Sequence, residues 1–278
     1  MFADNTIIYV SGESSIELEY KMNMIFNKVE KCMNINRLKM NADKTKYMIV
    51  RGVRKEIKGN MTVKCLDGTE LERVKTTKYL GVIIDDRLQF NDHCDYMLRK
   101  IGKKTSFLNR IGSNISVYTR CMVYKTIIAP HFEYCATLLI NMGETQLNRL
   151  QKAQNRAMRV ILQCDRYTRI ECMLNALQFM NIRQRLYYNV CILIFRMLRC
   201  MSTDHFRNRL EVVGNISERQ TRQAGDIMVQ YRRTRSAQKS IFYEGIKMYN
   251  GLPIEIKRCD RIELFKRRLK QYISTNVE

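Results

Sequence analysis

Tyr79-Leu80-Gly81-Val82-Ile83-Ile84 is a continuous apolar run near the end of the first third of the chain. A bounded apolar run of this length predicts a buried strand. The residues before it alternate between strand and helix patterns, and almost everything after Asn91 has helical spacing. This order predicts an α+β fold, in which a sheet backed by helices on one face is followed by a mostly α-helical region.

Upstream of this run, short strand patterns flank one helix pattern. Thr6-Ile7-Ile8-Tyr9-Val10 and Tyr47-Met48-Ile49-Val50 are rich in β-branched and apolar residues, so both predict strands. Between them, Ser14-Ser15-Ile16-Glu17 has the form of a capping box, and the apolar residues that follow it recur at helical steps. Asn41-Ala42-Asp43-Lys44 predicts a turn, and Asp67-Gly68 predicts a hairpin that begins near Val63.

Downstream, apolar residues at helical steps predict a series of helices. They cover residues 94–111, Arg120–Tyr134 with an interruption at Pro130, residues 146–162, and Ile182–Leu198. The helix at 146–162 has an apolar stripe of Leu147, Leu150, Ala157 and Ile161. We expect the very apolar helix at Ile182–Leu198 to belong to the core.

The helix at 146–162 also has a basic stripe. Arg149, Lys152, Arg156 and Arg159 follow one another at steps of 3, 4 and 3. Four cations on one helix face repel one another unless an anion lies across them. The stripe therefore predicts either phosphate contact or a solvated outer face. Lys100, Lys103 and Lys104 lie in the predicted helix at 94–111 and are further candidates for nucleic-acid binding. The same two interpretations as for the stripe apply to two more basic groups, Arg232-Arg233-Thr234-Arg235 and Lys266-Arg267-Arg268-Leu269-Lys270. For the last two groups, a localisation signal is a third interpretation.

The composition indicates a folded, strongly basic protein. The 278 residues include 49 Lys and Arg against 27 Asp and Glu, which gives a net charge of +22. A hydrophobic content of 45% with only 2 prolines excludes a disordered or collagen-like chain. No apolar run approaches the ~18–20 residues of a membrane span. The charge indicates an anionic partner, with nucleic acid first and an acidic membrane surface second, and the alternative is a merely soluble basic protein.

The 10 cysteines are scattered, and none forms a C-x-x-C pair. Zinc fingers and knuckles require closely spaced ligand pairs, so we expect no structural zinc. No secretory h-region precedes a small-residue cleavage site. We therefore expect reduced thiols in an intracellular protein of the nucleus or cytoplasm that is not secreted.

Six segments carry motifs that occur together in one family. They are Phe2-Ala3-Asp4-Asn5-Thr6, Leu38–Thr45, Lys78–Asp85, Tyr124–Tyr134, Leu150–Arg159, and a tail of Tyr249–Pro253 with Phe265–Lys270. In this order they resemble the motifs of reverse transcriptases from non-LTR (LINE-type) retrotransposons, most of all jockey and related insect-type elements. The first segment resembles the F/Y-A-D-D box of a palm hairpin, with Asn5 where the second aspartate stands.

This resemblance implies a fold and its subdivisions. Residues 1–90 would be a truncated reverse-transcriptase palm, residues 91–145 thumb-like helices, and residues 146–278 a basic helical C-terminal region. The third metal-binding aspartate and the fingers of such an enzyme lie upstream of the palm hairpin, and we expect them outside these residues.

The resemblance also implies a site. Such polymerases use two Mg²⁺ ions held by carboxylates, so Asp4 would be a catalytic metal ligand, with Asn5 beside it. Lys44 would be the general acid that protonates pyrophosphate. Tyr79, Leu80 and Gly81 would correspond to the primer grip.

The implied partners are an RNA template and a DNA primer, bound along the basic helices. Because the site keeps one aspartate at the turn, we expect the isolated chain to bind primer–template without extending it. Two alternatives stay open: a non-catalytic nucleic-acid-binding module, and the remnant of a decayed element.

Overall fold

The computed structural model describes residues 6–52, 61–199, 209–213 and 225–276. Helices dominate these ranges, and two short strand pairs lie in the N-terminal third. The chain forms two compact units, Met1–His93 and Cys94–Glu278. The predicted α+β class is confirmed, whereas the assignment of palm, thumb and C-terminal region stays a prediction.

The first unit contains a long helix with a capped N-terminus, α1 (Ser15–Ile35). Ser14 Oγ accepts a hydrogen bond of 3.2 Å from the Glu17 N–H. The Glu17 carboxylate in turn accepts one of 2.9 Å from the Glu13 N–H. The first bond satisfies a backbone donor that a helix start leaves unpaired, and the second ties the residue before the N-cap to the first turn. Together they explain why the helix begins where the capping pattern predicts it.

The hydrophobic core of the first unit forms around α1. Phe26 on the inner face of this helix is 5% exposed, and Leu18 and Met22 pack beside it, as their spacing predicts. The other buried members are Ile49, Met61, Val63, Cys65 and Leu71. Residues far apart in sequence therefore bury the apolar face of α1.

A parallel strand pair of two residues each lies in this unit. The strands are β1 (Lys46–Tyr47) and β2 (Glu72–Arg73). The strand predicted at residues 47–50 is thus present only at its first residue. The strand predicted at Thr6–Val10 is wrong: these residues form no ladder with any described residue, and Tyr9 is 84% exposed. Without a neighbouring strand to pair with, β-forming residues do not make a strand.

The hairpin predicted near Asp67-Gly68 is confirmed. Lys64 and Glu70 form an antiparallel bridge. Gly68 lies at the turn with φ +85°, in the region that glycine enters without steric cost. A bond of 2.9 Å from the Leu71 N–H to the Val63 carbonyl closes the pair.

The apolar run at residues 79–84 is not one strand, contrary to the prediction. Its two halves belong to the antiparallel strands β3 (Thr76–Tyr79) and β4 (Val82–Asp85). Leu80 and Gly81 form the turn between them, with φ of +43° and +84°. A two-residue hairpin of this kind requires positive φ at both central positions, and Gly81 supplies one of them freely. Turn chemistry therefore outweighs the apolar pattern here.

Helices follow one another from residue 91 to residue 276 of the described chain. They are α2 (Asn91–Gly112), α3 (Val117–Val123), α4 (Ala129–Glu133), α5 (Glu144–Leu162), α6 (Ile170–Leu177), α7 (Ile182–Leu198), α8 (Arg235–Gln238), α9 (Ile246–Asn250), α10 (Ile254–Lys257) and α11 (Ile262–Asn276). The helices predicted at residues 94–111, 146–162 and 182–198 are confirmed. A 3₁₀ turn, Ala136–Asn141, joins α4 to α5.

The helix predicted at Arg120–Tyr134 is present, and its interruption has a local cause. A π-helical turn, Tyr124–Ile128, joins α3 to α4, and Pro130 lies in the first turn of α4. Because proline has no N–H to donate, it fits the first turn of a helix, where N–H groups have no intrahelical acceptor. The wider π turn absorbs the change of register.

Helix α7 lies in the core of the second unit, as its apolar sequence predicts. Val190, Cys191 and Phe195 are completely buried. The Phe195 ring stacks on that of Phe265 in α11, with 4.2 Å between the ring centroids. Within the described ranges, no helix is long and apolar enough to cross a membrane.

Candidate nucleic-acid interface

Helix α5 has one buried apolar face and one basic face. Its predicted apolar stripe is buried, since Leu150, Ala157 and Ile161 are 0% exposed and Leu147 is 6% exposed. Of the basic stripe, Arg149, Lys152 and Arg156 are exposed and Arg159 is half-buried. The structure therefore brings the four predicted cations onto one side of a single, well-anchored helix.

Arg149 has an acidic neighbour. Its Nη2 lies 2.7 Å from Asp95 Oδ1 on α2. No aligned N–H···O hydrogen bond joins the two groups, so the contact is an ion pair held by charge. Arg149 is therefore partly neutralised before any ligand arrives.

Lys152 and Arg156 differ from Arg149 in this respect. Neither forms an ion pair with an acidic residue in the part of the chain that the structure describes. They stand four residues apart, where like charges destabilise a helix by a few tenths of a kcal/mol. An anion across this pair would relieve the repulsion.

A cleft of about 460 Å³ lies where the C-terminal parts of α2 and α5 meet. Its lining residues are Asn109 and Gly112 of α2, Arg156, Arg159 and Val160 of α5, and Gln163 and Cys164 just beyond. The Nε of Arg159 is buried and has no hydrogen-bond partner among the described residues. No acidic residue is among those that line the cleft, so its described surroundings are electropositive.

Two side chains fix the backbone at one side of this cleft. The Gly112 carbonyl accepts hydrogen bonds from Arg120 Nη1 at 2.7 Å and from Gln163 Nε2 at 3.2 Å. Arg120 is 4% exposed, and no described acidic residue pairs with it. A buried guanidinium without a carboxylate adds positive charge close to Gly112.

The predicted lysines of α2 contact other groups. Lys100 Nζ lies 4.6 Å from the centre of the Tyr96 ring, a cation–π contact. Lys104 Nζ donates a 3.0 Å hydrogen bond to the Ile127 carbonyl in the π turn. Lys103 is exposed. The described contacts of Lys100 and Lys104 thus involve α2 itself and the π turn, and both lysines lie in the same unit as the α5 stripe.

His131 lies close to two of these lysines. Burial and the charges of Lys104 and Lys100 lower the pKa of the His131 imidazole. Its Nε2 is buried and has no hydrogen-bond partner among the described residues. The imidazole is therefore neutral at pH 7 and adds no charge to this region.

In the first unit, the structure describes Lys44 and the predicted primer-grip residues. Lys44 is exposed in the turn that begins at Asn41, and its N–H donates to Asn41 Oδ1 at 3.1 Å. The predicted turn is confirmed. Tyr79, Leu80 and Gly81 are half-buried at the tip of the β3–β4 hairpin. Their predicted roles stay predictions.

Asp4 and Asn5, predicted to hold metal, lie outside the described residues. Within those residues, no group of three or more His, Cys, Asp or Glu side chains comes together as a metal site would require.

Sequence reasoning missed the role of the aspartate that ends the β4 strand. The Asp85 carboxylate accepts hydrogen bonds from the N–H groups of Arg87, Gln89 and Phe90 at 3.1, 3.0 and 2.6 Å. Leu88 and Phe90 both have positive φ in this loop. Asp85 thus holds a strained segment just before α2. These hydrogen bonds give a structural reason, and not a catalytic one, for an aspartate at the end of the Lys78–Asp85 motif.

The chain is similar to three proteins of mobile elements from fruit flies. It is 32% identical over 108 residues to a probable RNA-directed DNA polymerase from transposon BS of Drosophila melanogaster. It is 30% identical over 95 residues to the corresponding protein of the X-element of the same species. It is 30% identical over 113 residues to the RNA-directed DNA polymerase from mobile element jockey of Drosophila funebris.

These matches cover 33 to 38% of this chain and 10 to 12% of the relatives. No protein-family model and no solved structure matches the chain. All three relatives are named as RNA-directed DNA polymerases of transposons or mobile elements. The chain is thus a sequence related to the RNA-directed DNA polymerases of jockey-like, non-LTR retrotransposons.

Proposed function

We propose that this chain is the part of a non-LTR retrotransposon reverse transcriptase that holds the RNA template and the DNA primer. The single observation that carries the proposal is the basic face of α5. There, Lys152 and Arg156 are exposed and lack ion-pair partners in the described chain. The protein as a whole is also positively charged, with a net charge of +22. The names of the three relatives supply the identity of the nucleic acids.

The dimensions of α5 suit a phosphate backbone. Ten residues separate Arg149 from Arg159, which is about 15 Å of helix at 1.5 Å per residue. One nucleic-acid strand advances about 3.4 Å per phosphate, so this length corresponds to about four nucleotides. Four cations over four phosphates would replace condensed counterions without reading base sequence.

Replacement of the two unpaired cations tests the role of α5. The double variant Lys152→Gln with Arg156→Gln should weaken binding of a fluorescent primer–template at least tenfold at 100 mM salt. A matched control, Lys28→Gln with Lys31→Gln, removes the same charge from exposed positions of α1 and should change affinity less than twofold. Equal losses in the two double variants would contradict a specific role for α5.

We also propose that the 278-residue chain alone does not extend a primer. The motif that resembles the catalytic turn keeps Asp4 but has Asn5, whose amide lacks the charge that favours Mg²⁺. In a primer-extension assay with Mg²⁺ or Mn²⁺, we expect binding without synthesis. Template-directed synthesis by this chain would overturn this part of the proposal and leave the binding part intact.

A further inference from the structure

We propose that the cleft between the C-terminal parts of α2 and α5 is a binding site for one phosphodiester group of the bound strand. This inference rests on the proposed nucleic-acid function, and it adds a defined pocket to what is otherwise an open basic surface. The pocket divides the stripe, since Arg156 and Arg159 line it whereas Arg149 and Lys152 do not.

One buried donor of the cleft lining lacks an acceptor. Arg159 Nε is buried, and no described atom accepts its hydrogen bond. A buried donor without a partner is costly, so native structures rarely leave one unsatisfied. Arg156 also has no described acidic partner, and Asn109 and Gln163 add amide groups to the lining. An anionic oxygen would satisfy the Arg159 donor and balance both arginines.

Arg120 adds a further positive charge next to Gly112, a residue of the cleft lining. Its Nη1 is engaged by the Gly112 carbonyl, but its Nε is buried without a described partner. Because Arg120 and Gln163 both donate to this carbonyl, its partial negative charge is already compensated. Arg120 is bound to Gly112, which lines the cleft with Arg156 and Arg159, and none of these three arginines has a described carboxylate partner. Guanidinium groups bind phosphate oxygens in a bidentate manner, and a lysine would not reproduce this geometry.

The size and position of the cleft favour a backbone phosphate over a free one. Its volume of about 460 Å³ exceeds the need of a single small anion, given that a water occupies ~30 Å³. It therefore has room for a phosphate with an adjoining sugar. Arg156 belongs both to the cleft and to the exposed stripe, so one strand can pass from Lys152 into the pocket.

Cys164 lines the cleft and provides a reporter inside it. Cys172 on α6 is an exposed thiol outside the lining and serves as the internal control. We would follow iodoacetamide alkylation of the native chain, peptide by peptide, by mass spectrometry. Bound 12-nucleotide oligothymidylate should slow alkylation of Cys164 at least fivefold and leave Cys172 within twofold. An oligonucleotide with a neutral methylphosphonate backbone should protect neither thiol.

The outcomes separate this inference from the proposed function. Oligothymidylate that binds by fluorescence anisotropy but does not protect Cys164 would overturn the cleft site and leave nucleic-acid binding in place. Failure of oligothymidylate to bind at all would overturn both. Protection of Cys164 by 50 mM inorganic phosphate but not by the oligonucleotide would overturn the assignment to a phosphodiester.

Two variants test the arginine directly. Arg159→Gln should raise the dissociation constant for oligothymidylate at least tenfold and abolish protection of Cys164. Lys152→Gln removes the same charge outside the cleft. It should raise the dissociation constant for oligothymidylate two- to threefold and leave the protection of Cys164 intact. Arg159→Lys keeps the charge but not the guanidinium, so it separates a folding defect from a binding defect. A well-folded Arg159→Lys chain with full affinity and protection would overturn the proposal, and so would equal losses in Arg159→Gln and Lys152→Gln.

Discussion

Arg149 Nη2 lies 2.7 Å from Asp95 Oδ1, so the first cation of the α5 stripe already has a carboxylate beside it. The two side chains are 47% and 49% exposed, and an ion pair at such an exposed position contributes about 0–1 kcal/mol. A pair this weak positions Arg149 without making it inaccessible. It also means that Asp95 competes with phosphate for the same guanidinium.

Removal of the Asp95 charge should therefore strengthen nucleic-acid binding. In Asp95→Asn, Arg149 does not have to break an ion pair before it binds phosphate, and the negative charge that repels phosphate is gone. We therefore expect a two- to fivefold lower dissociation constant for a primer–template. Fluorescence anisotropy at 100 mM salt would measure it. Asp92→Asn, which removes the same charge at an exposed position in the first turn of α2, should have less than half of this effect. Weaker binding by Asp95→Asn would contradict the competition.

The β3–β4 hairpin should depend on glycine at its second turn position. Gly81 has φ +84°, so Gly81→Ala forces an L side chain into the left-handed region and should lower the free energy of unfolding by about 1 kcal/mol. Gly102 lies inside α2 with open space around it, and Gly102→Ala should raise the free energy by roughly 0.5–1 kcal/mol. Urea unfolding measures both, and changes of the same sign would contradict this account.

Asp85 should be important for the stability of the loop before α2. Its carboxylate accepts three backbone N–H groups, of which those of Gln89 and Phe90 are partly buried, and an unsatisfied buried donor costs roughly 1–3 kcal/mol. Asp85→Ala should therefore lower the free energy of unfolding by about 2–3 kcal/mol. Asp85→Asn keeps one oxygen acceptor and should lose about half as much. Hydrogen exchange at Gln89 and Phe90 should accelerate in both variants; unchanged protection would show that the carboxylate does not hold the loop.

Protonation of His93 should destabilise the first unit. The Ile83 N–H donates a 3.3 Å hydrogen bond to His93 Nδ1, which must be unprotonated to accept it. Burial lowers the pKa of His93, so the unfolded chain, with a histidine pKa of about 6.5, binds the proton more readily than the folded chain. The stability that the hydrogen bond to neutral His93 contributes is therefore present above a pH of about 6.5 and is lost as the pH falls below that value.

Urea unfolding at pH 7.5 and pH 5.5 would check this prediction. The native chain should lose stability on acidification, and His93→Asn, which offers an oxygen acceptor but does not titrate, should lose less. His131, whose pKa is also lowered, would contribute the remaining dependence. An equal loss in the native chain and in His93→Asn would contradict the role of His93.

The elements that sequence reasoning predicted correctly are those whose signals are local. The capping pattern at Ser14 and Glu17, the turn at Gly68 and the apolar stripe of α5 each depend on residues within about four helical turns. The prediction of a single strand at residues 79–84 is wrong because the two halves of this apolar run belong to strands that pair with each other. Only the backbone conformation of Leu80 and Gly81 shows the turn between them. The residues Thr6–Val10 have high β propensity but pair with no described strand, and propensity carries no information about pairing partners.

The same distinction applies to the site. Spacing alone placed Arg149, Lys152, Arg156 and Arg159 on one face of a helix. It gave no sign that Asp95 lies beside Arg149, or that Gln163 and Arg120 converge on Gly112, because these contacts join residues 8 to 54 positions apart. Buried, unpartnered donors such as Arg159 Nε are visible only in three dimensions.

The salt dependence of primer–template binding tests the central claim most directly. If phosphate contacts dominate, the logarithm of the association constant falls linearly with the logarithm of the salt concentration, by roughly 0.9 per phosphate contacted on B-form duplex. For the native chain we predict a slope of −3 or steeper, and in Lys152→Gln with Arg156→Gln a slope shallower by about 2, since each lost cation removes about one contact. A slope near zero for the native chain, or the same slope in both proteins, would contradict the conclusion that α5 binds the nucleic-acid backbone.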